Sequence, residues 1–154
     1  MRELLLKIVP PKWAAIDLAA GMALHFFWLA AGGGRLALYP LGVAALGLGF
    51  GIMFWAWKLF HLKETPVHPF EESTRFVEEG PYRFTRNPMY LGMTLILLGI
   101  AFFAGTPPAF LAPLLFFLTV NTAFVPFEEN KMEVRFGEAY RTYKRRVHRW
   151  IFVV

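Results

Sequence analysis

The chain has 154 residues and a mass of 17.6 kDa, the size of one domain, yet 56% of its residues are hydrophobic and only 18% are charged. Soluble domains carry about 25% charged residues, so the net charge of +5 and the mean hydropathy of +0.44 favour a membrane protein over a nucleic-acid-binding one. Because the chain has no cysteine, disulfides, thiolate metal sites and thiol nucleophiles are excluded.

The N-terminal half contains two long apolar stretches, each predicted to be a membrane-spanning helix. The first covers about residues 13–31 and is interrupted only by Asp17, and the second covers about residues 36–57 without a charge. Gly47 and Gly51 form a small-xxx-small pair in the second stretch, and Gly42 and Gly49 add to its glycine content. Since glycine lets helix backbones approach closely in lipid, these glycines predict close helix packing.

The third uncharged stretch, residues 87–127, is 41 residues long. This is about twice the ~20 residues that a helix needs to cross a bilayer, so the stretch is expected to fold back on itself. Gly105 ends one helix and Pro107 opens the next in the only good turn of the stretch. The sequence therefore predicts two further spans at about 88–105 and 107–127.

The distribution of basic residues tests this count, because Lys and Arg concentrate in short cytoplasmic segments of membrane proteins. With four spans, fifteen of the sixteen basic residues fall on one side and Arg35 alone falls on the other. We therefore expect one all-α membrane domain, residues 1–154, with four transmembrane helices and both termini in the cytoplasm. Residues 78–92 and 128–151 are then the cytoplasmic segments in which chemistry would reside.

Asn87 and Pro88 read as a helix start, with asparagine at the N-cap and proline at the first helical position. The positive end of this helix lies beside Arg83 and Arg86, an arrangement suited to holding a carboxylate or a phosphate. The alternative is that both arginines only anchor the span at the lipid headgroups.

Glu128 and Glu129 follow the fourth predicted span, where they would face the negative end of the helix dipole at the membrane boundary. Such an unfavourable placement has a functional explanation if the carboxylates bind a cationic group or the hydroxyls of a ribose. The alternative is that both are solvated in a loop and contribute little energy.

An amphipathic helix is predicted beyond the glutamates, because apolar residues recur there every three or four positions. The basic faces of this C-terminal helix suit the membrane surface. Gly137 interrupts the pattern at a cost of about 1 kcal/mol, which predicts a close contact with a helix or a ligand at that point. The apolar stripe consists of Met132, Phe136, Tyr140, Tyr143 and Val147.

The remaining polar residues carry weaker signals. His61, His68, Glu71 and Glu72 lack the spacing of known metal sites, and no metal is predicted. For His25, inside a span, packing or a hydrogen bond is expected. Asp17 is either a functional group in a cavity or an acid near the membrane boundary, four to five residues from Lys12.

The two cytoplasmic segments together resemble integral-membrane methyltransferases of the isoprenylcysteine carboxyl methyltransferase and phospholipid methyltransferase group. The resemblance covers about residues 80–151. The first motif of that group reads approximately G-x-Y-x-x-x-R-H-P-x-Y-x-G, and Asn87 replaces its histidine. In the second motif, His148 replaces a proline. The matching residues are Gly80, Tyr82, Arg86, Pro88, Tyr90 and Gly92 in the first motif, and Glu128, Glu129, Phe136, Gly137, Tyr140, Tyr143 and Val147 in the second.

The resemblance implies that the chain uses S-adenosylmethionine and methylates a lipophilic small molecule at the cytoplasmic membrane face, in contact with membrane lipids and without nucleic acid. Arg86 and Glu129 are the implied catalytic residues. Cofactor binding is implied for Gly80, Tyr82, Asn87, Pro88, Tyr90, Gly92, Glu128, Phe136 and Tyr140.

Two other functions remain open at this stage. Membrane sterol reductases resemble this group around an Arg-His-Pro-x-Tyr segment and use NADPH, and a non-catalytic four-helix transport or assembly protein would bind neither cofactor. The acceptor is also open between a prenylcysteine-like carboxylate, a lipid amine and another small lipophile. The sequence does not indicate an oligomeric state.

Overall fold

The computed structural model describes residues 2–36, 38–63 and 76–151 of the chain. As predicted, the described residues form an all-α fold, in which two short 3-10 helices, Gly80–Arg83 and Pro107–Phe110, precede longer ones. A π-helical turn at Val120–Phe124 joins two helices without a break. The α-helices are α1 (Arg2–Leu5), α2 (Pro10–Ala30), α3 (Tyr39–Leu62), α4 (Pro88–Ala104), α5 (Leu111–Thr119), α6 (Val125–Phe136) and α7 (Glu138–Arg146).

Three helical stretches in these parts of the chain are long and apolar enough to cross a membrane. They are α2, α3 and the continuous run from Pro107 to Phe136. α4 is equally apolar but has only 17 residues. The first two spans thus begin and end a few residues away from the predicted 13–31 and 36–57, and the count of four spans stays a prediction.

The predicted turns around α4 are present. Pro88 opens the helix, with Asn87 at the N-cap position, and Gly105 ends it in the left-handed conformation at φ +67°. The 3-10 helix that follows begins at Pro107. The side chain of Asn87, however, makes no capping hydrogen bond, and its amide is used elsewhere.

α3 and α4 pack against each other through glycines, but not through the predicted pair. A Cβ atom on Gly47 or Gly51 would meet nothing within 4 Å. A Cβ on Gly49 would instead lie 2.7 Å from the carbonyl oxygen of Gly92, and a Cβ on Gly99 would lie 3.0 Å from that of Gly42. The contacting glycines are therefore seven residues apart on each helix, and the two backbones touch at both levels.

We expect Gly49→Ala to destabilise the protein by about 1–3 kcal/mol, because the new methyl group would collide with the backbone of α4, which has little freedom to move. Gly47→Ala is the matched control, since it adds the same methyl group two residues away in open space. Thermal unfolding in detergent measures both. Equal unfolding temperatures for the two variants would contradict this helix contact.

The run from α5 to α6 corrects the prediction that Glu128 and Glu129 follow the end of a helix. Pro126 lacks an N–H and its ring crowds the carbonyl one turn earlier, which normally breaks a helix. Here the wider π-helical turn at Val120–Phe124 precedes the proline, and the helix continues to Phe136. Glu128 and Glu129 therefore lie inside a helix rather than at its negative end.

The C-terminal stripe also forms two helices instead of one. Gly137, at φ +54° and ψ −126°, ends α6 and starts α7. A Cβ on Gly137 would meet nothing within 4 Å among the described residues, so the predicted contact with another helix is wrong and the glycine serves the backbone turn. The alternative contact with a ligand stays a prediction. Tyr140 and Tyr143 on α7, and Val147 directly after it, are buried. The break folds α7 back onto the segment before α4, where Tyr143 contacts Phe76 and the carbonyl oxygen of Tyr82.

Two polar residues of α2, Asp17 and His25, face the protein. His25 Nδ1 lies 2.9 Å from Thr106 Oγ1 in a buried hydrogen bond, as expected for a histidine in a span. Asp17 is also buried, and its Oδ2 has no hydrogen-bond partner among the described residues. This face of α2 packs against α5 and the 3-10 helix before it, where a Cβ on Gly21 would lie 3.0 Å from that of Ala112.

Candidate functional site

A cavity of about 1100 Å³ lies where the two predicted cytoplasmic segments meet. Its wall combines the start of α2, the second half of α3, the segment before α4, and parts of α4, α6 and α7. Most of this wall is apolar. The lining residues are Val9, Pro10, Pro11, Phe50, Met53, Phe54, Trp57, Phe60, Phe76, Val77, Tyr82, Arg86, Asn87, Pro88, Met89, Tyr90, Met93, Glu128, Glu129, Lys131, Met132, Tyr140 and Tyr143.

One side of the cavity is an apolar face of α3. Phe50, Met53, Phe54 and Trp57 follow the i, i+3, i+4, i+7 spacing that brings side chains to one helix face. Phe50, Phe54 and Trp57 are about half exposed, at 53%, 60% and 46%. This side can therefore accept an apolar group that reaches the cavity from outside the helices.

The opposite side is polar and centres on Glu129. Its Oε1 lies 3.1 Å from Nη1 of Arg86, and the side chains of both residues are about nine-tenths buried. Arg149 binds the same carboxylate with two hydrogen bonds, of 3.2 Å to Oε1 and 2.6 Å to Oε2. Lys144 lies 4.0 Å from Oε2 of Glu129, but it pairs more closely with Glu133, at 2.5 Å. The two arginines around Glu129 carry one positive charge more than this carboxylate neutralises, so the polar side favours an additional anion.

Arg86 retains donors that this structure does not use. Its Nε and Nη1 are buried, and neither makes a hydrogen bond among the described residues. Nη1 is close enough to Glu129 for an ion pair but is not aligned with it for a hydrogen bond. Because buried donors without acceptors are costly, a ligand that supplies acceptors would stabilise this side of the cavity.

Glu128 occupies a separate position on α6. Adjacent residues of a helix point about 100° apart, so Glu128 faces α4 while Glu129 faces Arg86. The Tyr90 hydroxyl donates a hydrogen bond of 2.5 Å to Oε1 of Glu128. The two glutamates therefore have different partners, although they are neighbours in the sequence.

Three tyrosines supply hydroxyl groups around the polar side. Burial raises the pKa of the Tyr82 hydroxyl, and the negative charge of Glu128 raises it further. Burial also raises the pKa of the Tyr140 and Tyr143 hydroxyls. All three stay protonated at neutral pH. The Tyr143 hydroxyl donates to the carbonyl oxygen of Tyr82 at 2.7 Å, which ties α7 to the segment before α4.

The structure brings eight of the predicted site residues to this cavity, and it places three elsewhere. A Cβ on Gly80 would face Trp55, and one on Gly92 would face Gly49, both on α3. Phe136 stacks on Phe76 at 5.5 Å between ring centroids. The eight that line the cavity are Tyr82, Arg86, Asn87, Pro88, Tyr90, Glu128, Glu129 and Tyr140.

Two parts of the site were not predicted from the sequence. The aromatic face of α3 had a signal in its helical spacing, which could have identified it as a wall. Arg149 had none, because it lies after α7 in a segment without periodicity. Of the residues weighed as metal ligands, His68, Glu71 and Glu72 lie outside the described residues. No group of potential metal ligands occurs within the described ranges.

Comparison with known proteins gives two matches. The sequence model of one family, described as phospholipid methyltransferase, matches residues 37–139. A protein of Haemophilus influenzae, described as uncharacterized, is 40% identical to this chain over 63 residues, which are 41% of this chain and the whole of that protein. No solved structure matches the chain. The family match includes most of the cavity wall.

Proposed function

The chain belongs to the phospholipid methyltransferase family, and we propose that it moves the methyl group of S-adenosylmethionine to a lipophilic acceptor at the cytoplasmic membrane face. The family acts on lipid-like substrates in membranes, and the apolar helices agree with that location. The use of S-adenosylmethionine, the residues that bind it and the acceptor are part of the proposal.

The observation that carries the proposal is a single cavity with two unlike sides. At about 1100 Å³ it is at the upper end of the size of small-molecule sites, with room for a cofactor and part of a second molecule. The charged side suits a polar cofactor with an anionic group. The half-exposed aromatic side suits an acyl or prenyl chain, since its burial against Phe54 and Trp57 is favourable.

The residues present fit S-adenosylmethionine. The unused Nε and Nη1 of Arg86 offer donors for a carboxylate, and Tyr82 and Tyr140 offer aromatic faces and hydroxyls. Glu128 offers an acceptor for ribose hydroxyls or for a cationic group. When bound, S-adenosylmethionine would supply an electrophilic methyl group attached to a positively charged sulfur.

The chain itself would mainly align the reactants and exclude water. Arg86 would orient an anionic group at the polar side. Glu129 would hold Arg86 in place, or take a proton from an amine acceptor. The apolar side of the cavity would keep the acceptor's head close to this site while its chain stays among apolar groups. An amide at Asn87 does not titrate, so no proton transfer is assigned to it.

We further propose that α2, α3, α4 and residues 107–127 of the run from Pro107 to Phe136 are the four spans of one membrane domain, with both termini in the cytoplasm. The support is the fifteen-to-one distribution of basic residues. A reporter fused after Val154 is expected to be active only inside the cell. Activity outside the cell would contradict this topology.

The function is tested by incubating the purified protein in lipid with methyl-labelled S-adenosylmethionine and a total lipid extract. We expect label in one class of lipophilic product, whose identity then defines the acceptor. Saturable binding of NADPH with no response to S-adenosylmethionine would favour a reductase instead. Binding of neither cofactor would favour a non-catalytic membrane protein.

A further inference from the structure

Arg149 connects Glu129 on α6 with the segment directly before α4, which carries Arg86. Its guanidinium forms two hydrogen bonds with Glu129 of α6, of 3.2 Å and 2.6 Å. Its carbonyl oxygen accepts hydrogen bonds from Thr85 Oγ1 at 2.8 Å and from Asn87 Nδ2 at 3.1 Å, just before α4. One residue of the C-terminal segment therefore fixes both the carboxylate and the start of α4.

The neighbours of Arg149 strengthen this link. The backbone N–H of Arg86 donates to the carbonyl oxygen of His148 at 3.0 Å. The Trp150 indole N–H donates to Asn121 Oδ1 at 2.9 Å, inside the π-helical turn. The segment around Arg149 is thus held at three consecutive residues, and its main-chain position does not depend on the Arg149 side chain.

The pairing of Glu129 determines what Arg86 can do. Arg149 donates to both carboxylate oxygens, whereas Arg86 approaches only Oε1 and leaves Nε and Nη1 without hydrogen bonds. A carboxylate and a guanidinium bind most strongly as a two-bonded pair. If Arg149 did not hold Glu129, Arg86 would be drawn into that pair and its donors would be consumed.

We propose that Arg149 is a positioning residue that saturates Glu129 and so keeps Arg86 free to bind an anionic group of a ligand in the cavity. This inference rests on the proposed function for the identity of the ligand. The anion is either the amino-acid carboxylate of the cofactor or a phosphate of the acceptor lipid. Both present oxygen atoms that match the free donors of Arg86.

The test replaces Arg149 by glutamine, which preserves the main-chain hydrogen bonds but removes the positive charge and the two-bonded guanidinium pair with Glu129. We expect the affinity for S-adenosylhomocysteine, which has the carboxylate, to fall by about tenfold or more. Affinity for methylthioadenosine, which lacks the carboxylate, should stay unchanged. A parallel measurement gives the affinity for dihexanoyl phosphatidic acid, which carries a phosphate. The ligand whose affinity falls in Arg149→Gln identifies whether the anion is the carboxylate or the phosphate.

The matched control is Arg145→Gln, which removes the same charge from the exposed end of α7, where Arg145 pairs with Glu138. It should leave both affinities unchanged. Arg149→Lys preserves the charge but binds a single carboxylate oxygen, so we expect an intermediate loss. This variant also keeps the test decisive if Arg149→Gln unfolds at a lower temperature.

A double-mutant cycle separates positioning from a general structural role. In a Glu129→Gln background no carboxylate remains to capture Arg86, so adding Arg149→Gln should cause no further loss of anion affinity. Equal losses in both backgrounds would overturn the proposal, as would unchanged affinity for both anions in Arg149→Gln. If the wild-type protein binds neither S-adenosylhomocysteine nor methylthioadenosine, the proposed function fails, and the phosphatidic acid arm still decides the role of Arg149.

Discussion

Replacing Arg86 by alanine is expected to lower methyl transfer by at least about 100-fold and to leave the fold intact. Glu129 would keep its two hydrogen bonds with Arg149, so no buried carboxylate would lose its counter-charge. Two of the donors that disappear, Nε and Nη1, make no hydrogen bond within the described residues, although Nη1 lies 3.1 Å from Glu129. The loss should therefore appear in activity, measured with labelled S-adenosylmethionine, and not in the unfolding temperature.

Arg83→Ala is the control for this prediction. Arg83 lies three residues earlier on the same segment and is exposed, so the variant loses the same charge at the same end of α4. If the arginines only anchored the span at the headgroups, both variants would behave alike. Full activity in both Arg86→Ala and Glu129→Gln would contradict the assignment of the polar side as the active site.

The two ends of α4 were predictable because a proline and a glycine mark them in the sequence. Pro88 lacks an N–H that a helix start does not need, and Gly105 adopts a left-handed conformation that other residues avoid. The continuation past Pro126 was not predictable in this way. The helix survives there because the π-helical turn before the proline relieves the crowding, and that turn packs in the core around Phe116 and Phe124.

The glycines through which α3 contacts α4 were also not predictable from their spacing alone. Gly47 and Gly51 have the spacing associated with close helix packing, but they face open space. Gly49 contacts Gly92, which lies on another helix far away in the chain. Which face of α3 turns toward α4 depends on the whole packing arrangement, and no local pattern within the span determines it.

The part of the candidate site that the two sequence motifs contain, on either side of α4 and α5, was predictable. Arg86 and Glu129 flank an apolar hairpin, and a hairpin of two helices returns both flanks to the same end. Arg149 was counted only among the charges that set the topology. Its partner is chosen by the path of the chain after α7, which turns back toward α4 and has no periodicity to predict it.

Replacing Gly137 by alanine is expected to destabilise the protein by about 3 kcal/mol and to lower activity with it. The backbone at φ +54° and ψ −126° is nearly confined to glycine, and strain of this kind costs about 1–3 kcal/mol. A Cβ would meet no other atom within 4 Å, so the cost comes from the backbone alone. Activity should fall because α7 carries Tyr140 and Tyr143 to the cavity.

Whether Gly137→Ala lowers or raises stability distinguishes two helices separated by a turn from the single amphipathic helix that the sequence predicts. If residues 132–147 formed one unbroken amphipathic helix, Gly137→Ala would instead stabilise it by about 1 kcal/mol. Gly137→Asn should not restore stability, because ψ −126° lies outside the left-handed region that asparagine tolerates. Gly51→Ala, in open space inside α3, serves as the control and should be neutral or slightly stabilising. Thermal unfolding of the three variants in one detergent therefore decides whether the turn at Gly137 brings α7 onto the site.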